Sequence, residues 1–192
     1  KAEARDMYDQ LGKYLVSDLK QTYRHEKSMV AGAGDIPDGI CMIVNVSGSL
    51  VNLSRGRDEV RVSIAYLENG VAQSAAIYNP LNDEMIFAER GAGVKGRFRY
   101  RVTDREEIED GMFGLFSPVS ALEGKDDISN LFNELRSQGA HLRIGGNPIL
   151  SLLEVASGKL DGFVGLNLLP HDVILADLFL KESAGVATTA KA

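Results

Sequence analysis

The chain is short of cysteine, of long apolar runs and of net positive charge. One of its 192 residues, Cys41, carries a thiol. That excludes an intramolecular disulfide and any zinc site built on several cysteines. Cys41 lies in the apolar run Ile40-Cys41-Met42-Ile43-Val44, where a thiol packs as a small hydrophobe, so an inert core residue is expected. No uninterrupted apolar stretch approaches the roughly 18 residues of a membrane-spanning helix. The start, Lys1-Ala2-Glu3-Ala4-Arg5, lacks the apolar centre of a signal peptide. A cytoplasmic location is the expectation, and the absence of an initiator Met leaves room for residues upstream. Lys plus Arg number 21 against 27 Asp plus Glu, a net charge of −6. This argues against a surface that grips nucleic acid as a whole, while a local basic face stays open.

What is present reads as one folded unit of 192 residues in two halves. Repeats, low-complexity tracts and long linkers are absent, and the length suits a single domain. Residues 5–27 place Met7, Tyr8, Leu11, Tyr14, Leu15, Leu19, Thr22 and Tyr23 on one helical stripe. Residues 28–31 read as a short strand, and 40–46 as a strand covered on both faces. Strands follow at 59–67 and 71–78, joined by the hairpin signal Asn69-Gly70, and at 85–89. Phe98, Tyr100 and Val102 alternate with Arg97, Arg99 and Arg101, which predicts a further half-exposed strand. This makes residues 1–110 a helix followed by an antiparallel meander. Residues 111–192 alternate strands at 114–116, 141–144 and 161–164 with helices at 126–138, from Pro148 to Gly158, and from Asp172 to Ser183, the last stopped by Gly185. The fold class is α+β, an antiparallel sheet region followed by a smaller αβα region.

The second half carries the sharpest motifs. It reads Arg143-Ile144-Gly145-Gly146-Asn147-Pro148, then Val155-Ala156-Ser157-Gly158-Lys159-Leu160-Asp161-Gly162-Phe163, then Pro170-His171-Asp172, then Glu182-Ser183-Ala184-Gly185. Upstream stands Tyr78-Asn79-Pro80 with Glu84-Met85-Ile86-Phe87-Ala88 and Gly91-Ala92-Gly93. Over residues 40–187 the order of these motifs resembles the inositol monophosphatase family. Its patterns are Y-x-P-x-x-x-E-x-F-x-A-x-x-G-x-G, R-x-G-S-A, V-A-x-G-x-x-D-G-Y, P-W-D and E-A-G-G. The resemblance implies a layered αβαβα fold of the sugar-phosphatase type, usually a homodimer. It also implies Mg²⁺-dependent hydrolysis of small phosphate monoesters such as inositol phosphates. Clustered carboxylates hold the cations, which neutralise the phosphate and generate hydroxide. The family supplies them from a G-E-E strand end, a D-P-[IL]-D-G-[ST] loop and the Asp of P-W-D.

The departures fall on those carboxylates. Matched residue by residue, the two loop aspartates become Val44 and Ser47, while Gly48 and Ser49 keep the glycine and the hydroxyl. The G-E-E slot falls near Ala31-Gly32-Ala33, which holds no acid. Asp172 survives, with His171 in the Trp position; an acid that several members place seven residues earlier is Gly165. Members also carry an extra N-terminal helix and loop, whose absence here is expected to weaken a catalytic reading further. No catalytic residue is assigned. Asp172 is a weak or vestigial metal ligand or simply a helix cap. His171 is expected at a partly exposed helix start. Gly48 and Ser49 are either a phosphate cradle or a capped helix start. In an alternative register, Asp35 and Asp38 keep the D-x-x-D spacing and join Asp172 in an active Mg²⁺ phosphatase; the bland reading of that segment is an exposed turn.

The arginine row Arg97, Arg99, Arg101 is either a solvated face paired with acids such as Glu106 and Glu107 or a surface for an acidic or phosphorylated partner. Arg55, Arg57 and Arg61 form a second basic cluster. The expectation is a family homologue impaired in catalysis and acting by ligand or protein binding, with no Mg²⁺ requirement.

Overall fold

The structure, a computed structural model, describes residues 10–18, 28–30, 36, 38–118 and 125–188. Its framework is a six-stranded sheet built in chain order: β1 (Ser28–Val30), β2 (Ile40–Ser47), β3 (Arg61–Glu68), β4 (Val71–Asn79), β5 (Glu84–Glu89) and β6 (Gly93–Lys95). β1 runs parallel to β2, with Val30 beside Val44, and the other neighbours are antiparallel. Neighbouring residues point to opposite faces of a strand. Ile43 and Val44 of β2 are both buried, so both faces of its middle are covered, as the apolar run predicts. Cys41 is fully buried, as expected of a packed thiol. The Asn69-Gly70 turn joins β3 to β4 with both residues at positive φ, 51° and 77°, the conformation such hairpin turns require.

The second sheet is parallel, in the order β8 (His141–Ile144), β7 (Met112–Phe116), β9 (Gly162–Gly165). Parallel neighbours need crossovers, and α3 (Lys125–Ser137) and α4 (Pro148–Ala156) supply them. α5 (Pro170–Glu182) lies against α4 and against β4, β5 and β6, so α4 and α5 fill the space over the large sheet. The main core joins both layers: Cys41, Leu67, Ile77 and Ala88 of the sheet with Ile149, Leu153, Leu178 and Phe179 of the helices. A smaller cluster under α3 contains Leu115, Leu135 and Ala140.

Two family motifs acquire physical roles here. The Glu182 carboxylate accepts from the backbone N–H groups of Gly91 (2.8 Å) and Gly93 (2.9 Å), tying the end of α5 to the glycine turn between β5 and β6. The Asp161 carboxylate accepts from Thr103 Oγ1 (2.7 Å) and Met112 N (2.8 Å), pinning the segment after β6 to the start of β7.

Several expectations are corrected. Residues 97–102 form no strand; Tyr100 and Val102 turn inward, whereas Phe98 is exposed along with the arginines, so the alternation reports a face covered only in part. An additional strand not foreseen in the sequence, β6 at Gly93–Lys95, follows the glycine turn. The first helix, α1, is described only over residues 10–18, and its buried line runs through Gly12 and Val16, whereas Leu11 and Tyr14 are exposed. The last helix starts at Pro170, and its left-handed terminal residue is Ala184 (φ 67°), not Gly185. The backbone N–H of Ala184 donates to Lys181 O and that of Gly185 to Leu180 O, a Schellman ending. Gly185 answers to close packing: a Cβ there would lie 2.7 Å from Val102 Cγ1.

Candidate functional site

The end of β2 is the place where the family resemblance puts a metal. Val44 is fully buried in the sheet and offers no donor atom. Ser47 ends the strand, and Gly48 turns the chain at φ +146°, with its backbone so close to β3 that a Cβ would lie 2.8 Å from Glu59 O. Ser49 Oγ accepts from Asn52 N (3.3 Å) and caps α2 (Leu50–Leu53). Ser49 is therefore a helix-start residue, and a one-turn helix supplies little dipole for an anion.

Around this turn the polar groups satisfy one another. Asn147, 2% exposed, caps α4 by accepting from Ile149 N (2.9 Å), and its Nδ2 donates to Glu59 O (2.6 Å) and, more weakly, to Ser47 Oγ (3.4 Å). Ser47 Oγ donates in turn to Arg61 O (3.4 Å). The buried Glu59 carboxylate accepts from Asn52 Nδ2 and pairs with Arg57 Nε at 3.3 Å. Gly146 lets the two segments meet, since a Cβ on it would come within 2.7 Å of Asn52 Nδ2 and 2.9 Å of Glu59 Oε2. Sequence reasoning missed Asn147, Glu59 and Asn52. The available signal was the departure of Gly146-Asn147 from the S-A of the family's R-x-G-S-A.

Asp172, His171 and Asp38 are the remaining candidates. Asp172 caps α5: its Oδ2 accepts from Leu169 N at 3.1 Å. Its Oδ1 is 3.2 Å from His171 Nε2. His171 is buried, at 5% exposure, and not partly exposed as expected; its Nδ1 has no hydrogen-bond partner. Asp38 sits in an exposed bend before β2, and Asp35 lies outside the described residues, as do Ala31, Gly32 and Ala33. The eight residues of β2 separate Asp38 from the Gly48 turn, a run of about 26 Å at about 3.3 Å per residue. Asp38 thus lies at the other end of β2 from the Gly48 turn.

Mg²⁺ demands several oxygen ligands, carboxylates foremost. At the Gly48 turn the donor set is a buried valine, a serine hydroxyl engaged with Asn147 and Arg61 O, and one carboxylate already held by Asn52 and Arg57. Among the described residues no group of three His, Cys, Asp or Glu side chains could hold a metal ion. These residues do not fit the cation pair that the family chemistry requires.

The basic residues divide. Arg97, Arg99 and Arg101 are exposed, and no ion pair reaches them among the described residues. Arg97 stacks over the Phe98 ring at 5.5 Å. Arg105 pairs with Asp161 (3.6 Å), not with Glu106 or Glu107. Arg61 is buried and pairs with Asp58 at 2.9 Å, so the second basic cluster does not form one surface.

A sequence model of the inositol monophosphatase family matches residues 51–192. The chain belongs to the inositol monophosphatase family. Among its curated relatives is the putative Nus factor SuhB of Neisseria meningitidis serogroup B, 29% identical over 178 residues, which span 91% of this chain and 68% of the relative. The Nus factor SuhB of Pseudomonas aeruginosa is 29% identical over 184 residues, 91% of this chain and 67% of that one. Among solved structures, the extragenic suppressor protein SuhB of Bartonella henselae superposes with a TM-score of 0.79 at 27% identity, over 92% of this chain and 69% of that one. Inositol monophosphatase II of Staphylococcus aureus shares the fold at 18% identity, with a TM-score of 0.79 over 96% of this chain and 72% of that one. Family membership accounts for both the sheet arrangement and the motif roles described above. Among the described residues no helix is long and apolar enough to cross a membrane.

Proposed function

We propose that this inositol monophosphatase family member acts by binding and does not catalyse metal-dependent phosphate-ester hydrolysis. One observation carries the reading: where the resemblance puts two loop carboxylates stand Val44, buried in the sheet, and Ser47, held in a hydrogen-bond network that Asn147 already closes. A hydrolase of this kind works by neutralising phosphate charge with cations, and Asp172 alone, engaged as a cap and beside His171, is at most a weak ligand. Gly48 and Ser49 would meet a small phosphorylated ligand with neutral groups, against the charge of Glu59. Relatives that are described as Nus factors, and not as hydrolases, support a role other than hydrolysis. The exposed row Arg97, Arg99, Arg101 offers the cationic surface for an acidic partner, and a homodimer, as the family resemblance implies, would present that row twice.

Calorimetric titration with Mg²⁺ and Mn²⁺, run beside a phosphate-release assay on inositol monophosphate, tests the first part. The expected result is no saturable heat at millimolar cation and no release above the blank. Millimolar binding that Asp172→Asn abolishes, with turnover, would overturn it. For the second part, replacing Arg97, Arg99 and Arg101 together by Glu should abolish partner capture while the far-ultraviolet circular dichroism stays unchanged. Undiminished capture would remove that surface from consideration.

A further inference from the structure

A separate cavity of about 90 Å³ lies between the large sheet and α4. Its floor comes from neighbouring strands: Ile77 pairs with Ile86 and Asn79 with Glu84 across β4 and β5. Its roof is one face of α4, where Leu150, Leu153, Glu154 and Ser157 recur at helical spacing. Phe98 and Tyr100, on the segment after β6, form the side, and Lys159 completes the rim.

This lining contains an unanswered group. Glu84 Oε1 is buried and has no hydrogen-bond partner. Leaving a buried acceptor unpaired is costly, and more so for a carboxylate. The cations nearby make other contacts. Arg61 Nη1 donates to Asp58 Oδ1 (2.9 Å) and Val60 O (2.7 Å). Lys159 Nζ sits over the Phe98 ring at 5.3 Å. Tyr100 stays protonated well above neutral pH, because burial and then the Glu84 charge push its hydroxyl up to about 12. Burial also raises the Glu154 carboxyl, against the pull of Lys159, Arg61 and Arg143. What Glu84 Oε1 lacks is a hydrogen-bond donor, preferably positive. What the cavity walls of Ile77, Ile86, Leu150 and Leu153 accept is a short hydrocarbon stem.

We propose that the cavity between β3–β5 and α4 binds a small organic cation, a primary alkylammonium whose head donates to Glu84 and whose stem lies on the isoleucine and leucine walls. The cavity's volume restricts the ligand to a handful of non-hydrogen atoms. This site is independent of the Gly48 turn, so it stands or falls separately from the loss of metal chemistry.

The test is a methyl-detected NMR titration of the whole chain with n-butylammonium chloride, beside sodium butyrate and sodium chloride at matched ionic strength. Expected are saturable millimolar shifts in the methyl groups of Ile77, Ile86, Leu150 and Leu153 with butylammonium alone, weakened at least tenfold in Glu84→Gln. Equal response to butyrate, shifts only outside these residues, a failure to saturate, or undiminished binding in Glu84→Gln would each overturn the assignment. If Glu84→Gln does not fold, the contrast between butylammonium and butyrate in the unmodified protein decides the matter alone.

Discussion

Asn147 is the residue on which the closed geometry of the Gly48 turn depends. It joins segments 88 residues apart in sequence through its bond to Glu59 O, and it caps α4 with the same side chain. Replacement by Ala removes both. Loss of an N-cap acceptor costs about 1 kcal/mol. Stranding the Glu59 carbonyl, in a site that is 7% exposed at Glu59, adds about 1–3 kcal/mol. The sum for Asn147→Ala is a destabilisation of roughly 2–4 kcal/mol, a large share of the ~5–15 kcal/mol that holds a typical domain together. Urea unfolding followed by circular dichroism measures it, as a lower midpoint at unchanged slope. Asn147→Asp separates the two terms: it keeps the cap acceptor and loses the donor, placing negative charge against Glu59 O. It should be no better than Asn147→Ala above the carboxylate pKa. A loss below about 0.5 kcal/mol in Asn147→Ala, within the range of ordinary surface substitutions, would refute the view that this side chain locks the turn.

Three further outcomes are expected. Ala184 occupies the left-handed position where the E-A-G-G pattern has glycine, and a Cβ there costs about 1 kcal/mol; Ala184→Gly should raise stability by about 0.5–1 kcal/mol, read from the same denaturation curves. Glu182→Ala removes two charge-assisted hydrogen bonds to Gly91 and Gly93 and should cost about 2–4 kcal/mol, while Glu182→Gln, which keeps one acceptor oxygen, should lose less. Tyr100 is raised from 10.0 to about 12. The folded state thus holds this proton more tightly than the unfolded chain. Its stabilising share is complete below pH 10 and is lost as pH rises from 10 towards 12. In Tyr100→Phe the ultraviolet titration should lack its last tyrosinate step, and the decline in stability over that interval should be shallower.

The sheet was legible because its signals are local. Asn69-Gly70 demands a tight hairpin, alternation marks the half-covered strands, and Pro148 and Gly158 bracket α4 within two residues of its observed ends. Alternation failed at residues 97–102 because it reports burial along one face, here only partial, which packing can deliver without a strand partner; Val102 N bonds to Ser183 O beyond α5 instead. Of the stripe on α1 only Leu11, Tyr14 and Leu15 lie among the described residues, and there Leu11 and Tyr14 are exposed while Gly12 and Val16 are buried. At the candidate site the absence of acids at Val44 and Ser47 was readable, since residue identities stand in the sequence itself. The Asn147–Glu59–Ser47 network was not, because it depends on contacts between segments remote in sequence.

That network also bears on whether a cation site can be built at this turn. The direct attempt is Val44→Asp with Ser47→Asp. Val44 is fully buried, and an unpaired carboxylate in such a place costs about 3–5 kcal/mol. At position 47 a new carboxylate would find Asn147 Nδ2 as a donor, yet it would share the turn with Glu59. The double variant should therefore be destabilised by at least ~3 kcal/mol without cation. If the pocket accepted Mg²⁺ with a millimolar Kd, 10 mM cation would return about 1.4 kcal/mol. The prediction is a recovery indistinguishable from zero, because Asn147 still fills the space between the two segments and the Ala31–Ala33 slot contributes no acid. Thermal unfolding with and without 10 mM Mg²⁺ reads both numbers. A gain of more than about 1 kcal/mol on adding Mg²⁺ would mean that the turn is open to a cation and that the missing charge alone had kept it out.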